Sequence, residues 1–252
     1  MSRKGFIILT LTLTLSGCAS APKKAAKDAE KDPQNQYEKA VISFRYNLED
    51  EALKYLNLAL SLDPAHAPSL LLLGNVEFKK ERYGEAAAAF QKYLELRPND
   101  PEAHVGLGLT YEKLGMAAKT EEEYLKSLAI DGNANAAFGL AKLYYEQNKL
   151  EAALEHAQKA TQKNSKSAAY HNLQGVILNQ MHRYADALPS FQAALQCAPD
   201  DTYVIINLGI AYLNIKEFAK ARELFEKVLP SVQDEELKAK INEYLKLIKD
   251  ND

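Results

Sequence analysis

The sequence is short of the residues that build reactive centres. It holds two cysteines, Cys18 and Cys197, no tryptophan and five histidines among 252 residues. Neither the cysteines nor His66, His104, His156, His171 and His182 cluster at metal-ligand spacing, so no metal or other cofactor is expected. No Ser-His-Asp arrangement, glycine-rich phosphate loop or HExxH run is present, and the glycines stand singly, so no enzyme is expected. A basic excess is also missing. The 31 Lys and Arg are outnumbered by 34 Asp and Glu, giving a net charge of −3, which argues against nucleic acid as a partner. Alternating Val, Ile and Thr, the mark of strands, are nearly absent after Ser16. The one long apolar run, residues 6–15, falls short of the roughly 20 residues that span a bilayer.

Apolar residues make up 47% of the chain, enough for a core, and the abundance of Leu, Ala, Lys and Glu favours helix. At the start, Arg3 and Lys4 precede the apolar run, the arrangement of a secretory signal. Leu15, Ser16, Gly17 and Cys18 then resemble the lipobox of bacterial lipoproteins. That resemblance implies a signal peptide over residues 1–17 and a diacylglyceryl group on Cys18, which becomes the first mature residue. The competing reading is an ordinary signal that happens to contain a cysteine. Each lipid CH₂ buried in a membrane contributes about 0.8 kcal/mol, so several acyl chains would anchor the protein firmly. Ala19 after the cysteine resembles lipoproteins sorted to the outer membrane, facing the periplasm. Residues 18–36 follow, with no aliphatic side chain larger than Ala. They are expected to form a disordered tether reaching about 20–25 Å.

From residue 33 a pattern returns about every 34 residues. Leu73-Gly74, Leu107-Gly108 with Tyr111, Leu140-Ala141 with Tyr144, Gly175, and Leu208-Gly209 with Tyr212 mark first helices. Ala86 with Phe90, Ala153, Ala187 with Phe191 and Ala194, and Ala221 with Phe225 mark second helices. Pro64, Pro98 and Pro199 close units, and Pro101 opens one. These residues resemble the tetratricopeptide (TPR) family. The resemblance implies an all-α, right-handed superhelical solenoid of six helix-turn-helix units, near 33–66, 67–100, 101–133, 134–167, 168–201 and 202–235. The repeat domain is thus placed at 37–235, with a capping helix at 236–249 whose Leu237, Ile241, Tyr244, Leu245 and Ile248 recur at helical spacing. Gly or Ala at the eighth position is expected to let two helices approach. Several residues depart from the pattern. Lys39 replaces the usual Leu and predicts a frayed first helix. Thr120 replaces Ala, Gly132 replaces Pro, and Pro189 is expected to bend its helix slightly. Cys197 is expected to be an inert buried thiol. His104 and His171 occupy equivalent positions two units apart and are read as packing or surface residues.

In the family the first helices line a concave groove. Carried over by position, the groove here holds Tyr37, Phe44, Leu71, Asn75, Phe78, Leu109, Phe138, Lys142, Tyr145, Val176, Tyr203, Ile206 and Ile210. Phe44, Phe78, Phe138, Tyr145 and Tyr203 would then be exposed aromatics, the kind of patch that marks a partner site. The competing reading packs some of them against neighbouring helices. Tyr37 and Val41 stand where a carboxylate clamp would need basic and Asn side chains. An apolar or amphipathic protein segment is therefore the expected ligand. A lipobox, a tether and six units together resemble the pilotin lipoproteins of type IV pilus biogenesis, which implies a secretin subunit as partner. The alternatives are a general envelope scaffold that recruits peptidoglycan enzymes or outer-membrane assembly components, and an enzyme or small-molecule carrier.

Overall fold

A computed structural model describes residues 31–251. The expected signal peptide and Cys18 lie outside the described residues. Within them the chain forms thirteen α-helices and no strand. Twelve make six antiparallel pairs: α1 (Pro33–Arg45) with α2 (Glu49–Leu62), α3 (Ala67–Lys79) with α4 (Tyr83–Leu96), α5 (Pro101–Lys113) with α6 (Ala117–Asp131), α7 (Ala134–Glu146) with α8 (Leu150–Lys163), α9 (Ala168–Gln180) with α10 (Tyr184–Cys197), and α11 (Thr202–Asn214) with α12 (Phe218–Val228). A 3₁₀ turn, Leu229–Ser231, leads to α13 (Glu235–Lys249). The first helices of successive pairs approach one another more closely than the second helices do, so the first helices line the inner side of the stack.

The helix boundaries follow from local chemistry. Asp32, Asp100, Asn133, Ser167, Asp201 and Asp234 cap first-turn N–H groups of α1, α5, α7, α9, α11 and α13 with their side chains. Asp63, Arg97 and Ala198, before Pro64, Pro98 and Pro199, all leave the helical region, as proline demands of its predecessor, and α2, α4 and α10 end there. Every turn inside a pair uses one device. Asn47, Glu81, Gly115, Asn148, His182 and Lys216 all adopt positive φ, between 56° and 71°. The next residue's N–H reaches back to the last turn of the first helix, as in Leu48 N–H to Ser43 O (2.9 Å) and Glu217 N–H to Tyr212 O (2.9 Å). Only one of the six is glycine, so five accept the strain of a left-handed residue.

The pairs interlock by complementary volumes. A Cβ built on Gly74, Gly108, Gly175 or Gly209 would lie 2.6–2.7 Å from the ring of Phe90, Tyr124, Phe191 or Phe225. Each glycine is therefore a notch for the aromatic of its own second helix, a tighter role than the simple close approach expected. The first and fourth pairs place Ala40 opposite Leu56 and Ala141 opposite Ala157, all buried. Tyr124 is held twice, since its ring also crowds Gly139 of the next pair.

Several expectations need correction. The tether ends before residue 33, because Asp32 caps and Pro33 starts α1, and Gln36 is buried. α1 is intact despite Lys39, whose ammonium sits 5.7 Å from the centre of the Tyr55 ring. Pro189, as expected, does not break α10. Cys197 is exposed, being the last residue of that helix, where the chain turns into solvent. Thr120 and Gly132 fit their sites. Thr120 is buried with its hydroxyl on the Met116 carbonyl, and Gly132 caps α6 in the left-handed region.

The two ends of the stack differ. α13 covers the last pair, burying Ile241 and Ile248 and stacking Tyr244 on Phe225 at 5.3 Å. At the other end Ile42 is 56% exposed, while its equivalents Val76, Thr110, Ile177 and Ala211 are fully buried by a preceding pair.

Candidate protein-binding groove

The inner face is narrower and less aromatic than the sequence suggests. Tyr203 is 68% exposed, and Leu109 and Asn75 are also exposed. Tyr37, Phe44, Leu71, Phe78, Phe138, Lys142, Tyr145, Val176 and Ile210 are half-buried. Ile206 is buried, packed in the cluster that α13 closes, and so leaves the groove. Four aromatics expected to be exposed are committed to packing. Phe44 lies under the Lys79 ammonium, Phe78 meets Tyr83 edge-on, Phe138 packs on Tyr170, and Tyr145 joins the cluster around Phe191. The pattern of positions could not separate these cases, because each ring has one face inward and one toward a neighbour.

Much of the inner polarity is already satisfied between pairs. Lys142 Nζ meets Glu112 Oε1 at 2.8 Å, and Tyr124 OH donates to the other oxygen of Glu112 at 3.0 Å. Burial and the Glu112 carboxylate push the Tyr124 hydroxyl well above the usual tyrosine range, so it stays a neutral donor. Tyr170 OH donates to Asn135 Oδ1, and Asn207 Nδ2 donates to Asn172 Oδ1. These contacts fix the spacing of first helices and leave the apolar row between them open.

Two recesses open on that row. The first, of about 440 Å³, is lined by Tyr37, Pro68, Leu71, Asn75, Tyr93 and Arg97. The second, of about 460 Å³, is lined by Leu71, Asn75, Val105, Leu109, Glu102 and Asn135, among others. They share Leu71 and Asn75, so they form one trough from the first pair to the fourth. Sequence position placed Leu71, Asn75 and Leu109 there, but missed Arg97 and Tyr93, which come from a second helix and its end. A larger recess, about 690 Å³, lies on the other side, between α4 and α6. Its buried histidine is fully engaged: His104 Nδ1 meets Glu123 at 2.6 Å and Nε2 meets the Pro98 carbonyl at 2.9 Å. Glu123 in turn holds Lys126 at 2.8 Å, and Tyr111 OH accepts from Gln91. That recess is a seam between second helices in which His104, Glu123, Lys126, Gln91 and Tyr111 already have partners. His171 repeats the tie to a carbonyl, Ser165 O, at 3.0 Å, which gives both histidines packing roles. Among the described residues no group of His, Cys, Asp or Glu could hold a metal ion, and no helix is long and apolar enough to cross a membrane.

Comparison with known proteins bears on this architecture. Profiles described as TPR repeat and tetratricopeptide repeat match residues 74–115, 138–202 and 178–241. Anaphase-promoting complex subunit 3 of Schizosaccharomyces pombe is 23% identical over 77% of this chain, and type IV pilus assembly protein PilF of Pseudomonas aeruginosa is 32% identical over 51% of it. The chain spans 30% of the length of the first and 52% of the second. Among solved structures, PilF superposes with a TM-score of 0.65 at 21% identity, over 75% of this chain and 86% of that one. YrrB, a TPR protein with an unusual peptide-binding site, superposes at 0.62 and 21% identity, over 75% and 97%. At these identities the superpositions establish the fold alone. Repeat profiles, paired helices and glycine notches agree: the chain is a tetratricopeptide-repeat protein.

Proposed function

We propose that this protein is a non-enzymatic adaptor that holds an apolar or amphipathic segment of a partner protein in its concave groove. The observation that carries the reading is the open trough of Leu71, Asn75, Val105 and Leu109 along the inner face, where Glu102 and Asn135 beside it are already bonded to Asn133 and Tyr170. Such a surface gains by covering apolar area and has little polar demand to refuse it. A lipid on Cys18 would hold the adaptor at the bacterial outer membrane, facing the periplasm. The partial likeness to PilF, together with the lipobox pattern, favours a secretin subunit as the client and secretin assembly for type IV pili as the task. The adaptor would carry the client to the membrane and shield its apolar segment until the ring forms. A second reading is a general envelope scaffold. It is favoured by a likeness of greater extent to a subunit of the unrelated anaphase-promoting complex, which tracks the repeat rather than any partner.

Deleting the gene separates the two readings. Loss of pili and of multimeric secretin, restored by wild type but not by Cys18→Ala, is expected on the first. Normal pili with altered septation or permeability would reject it in favour of the second. Groove variants should avoid Phe78 and Phe138, whose rings also pack the fold. Leu109→Asp changes an exposed groove position and should abolish partner capture with helicity intact.

A further inference from the structure

The repeats serve as controls for one another, and one stretch departs from them. At one equivalent position, near the end of each second helix, five repeats carry Asp63, Asp131, Asn164, Ala198 and Val232; the remaining one carries Arg97. Asp63 and Asn164 brace their turns by accepting the N–H groups of Ala65 and Lys166. Arg97 forgoes that brace and brings a permanent cation. Four residues earlier the repeats carry Ala59, Ser127, Ala160, Ala194 and Val228, and here alone an aromatic, Tyr93. Both departures line the same recess, against Tyr37, Leu71 and Asn75.

The local charges leave Arg97 without a partner. Asp100, which lines an adjoining recess with Arg97, accepts from Tyr93 OH and from the N–H groups of Glu102 and Ala103, and no salt bridge joins it to Arg97. Burial and Asp100 raise the Tyr93 hydroxyl to about 12, so it remains neutral and Arg97 is the one ionised group among the recess residues. The Asn75 amide is exposed and free to pair with a peptide backbone.

We propose that this recess selects an acidic residue within an apolar protein segment. The carboxylate sits on Arg97, the adjoining apolar side chain lies against Tyr37 and Leu71, and the segment continues over Leu109 in the second recess. Charge complementarity commits the occupant to an acidic peptide: an unpaired guanidinium at the rim of an apolar recess disfavours a basic residue and bonds a carboxylate more strongly than a neutral acceptor. The inference rests on the groove reading above and adds the sign of the ligand's charge.

The test is selection of a random dodecapeptide phage library on the full-length protein, repeated on Arg97→Glu and on Leu109→Asp. Arg97 is exposed, so its reversal should leave the circular dichroism unchanged. Wild type should enrich peptides with Asp or Glu beside a large apolar residue, and Arg97→Glu should switch that position to Lys or Arg. Fluorescence anisotropy on one selected peptide should show about tenfold weaker binding to Arg97→Glu, and partial loss with Arg97→Gln. Apolar peptides without charge preference, the same sequences on both proteins, would overturn the acidic selectivity while leaving the groove reading standing if Leu109→Asp loses them. No enrichment on any protein would overturn both.

Discussion

The third and fourth repeats meet one packing requirement with opposite side chains. In the third, Tyr124 fills notches at Gly108 and, from the next pair, Gly139. In the fourth, Ala157 faces Ala141, and Leu173 of the following helix with the half-buried Tyr144 packs into the same cluster. The volume between the helices is preserved while the residues that supply it change sides. The buried histidines differ as well. His104 beside the third repeat has both ring nitrogens bonded, whereas His156 in the fourth is buried with Nδ1 unpartnered. The third repeat is thus keyed by shape and polarity, and the fourth by small apolar side chains around an unmet polar atom.

The largest effect should come from removing the key. Tyr124→Ala leaves two notches empty and the Glu112–Lys142 pair without its donor, and should cost about 3–5 kcal/mol in urea denaturation. Filling the notch, Gly108→Val, should cost about 1–3 kcal/mol, since a Cβ there already lies 2.7 Å from the Tyr124 ring. The comparison is sharpened by converting the fourth repeat into the third. Ala157→Phe alone should overpack by about 1–3 kcal/mol, and adding Ala141→Gly should return part of that. Strictly additive losses in that cycle would show that glycine is not the notch that admits the ring.

A smaller effect concerns pH. Burial first, then Lys159, hold the His156 imidazole below its ordinary value. The unfolded chain therefore binds the proton more readily, so His156 contributes stability above its unfolded value near 6.5 that is lost as pH falls through the folded value. Lowering the pH from about 7.5 to 5.5 should reduce the Tm of wild type more than that of His156→Leu. An equal drop would remove His156 from the account. Smallest is the turn strain: Lys216→Gly relieves a left-handed residue at φ 63° and should stabilise by about 0.5–1 kcal/mol, while Gly115→Ala should do the reverse.

The helices and their pairing were legible because Leu-Gly, Ala-aromatic and Pro recur at a fixed spacing, and spacing is what stacking of like units imposes. The turns were less so. Asn47, Gly115 and Asn148 announce left-handed positions, but Glu81, His182 and Lys216 do not, and only their equal spacing unites them. The groove was legible in outline, since first-helix positions follow from the repeat. Its exposure was not. Ile206 is buried in the cluster that α13, outside the repeat, closes, and Phe78 and Phe138 are half-covered by Tyr83 and Tyr170, contacts that depend on the neighbouring side chain rather than on the position. Arg97 escaped notice because a residue at a helix end is read as a turn residue until the fold shows what it lines.

The central claim is that the inner face, and not the outer one, receives the partner. Site-specific photo-crosslinking tests it directly, with a benzophenone side chain placed at Leu109 in the trough or at Ala88 on α4, in the seam beside α2. Crosslinked partner protein should form from position 109 and not from 88 in living cells. Adducts from position 88 with none from 109 would contradict the account.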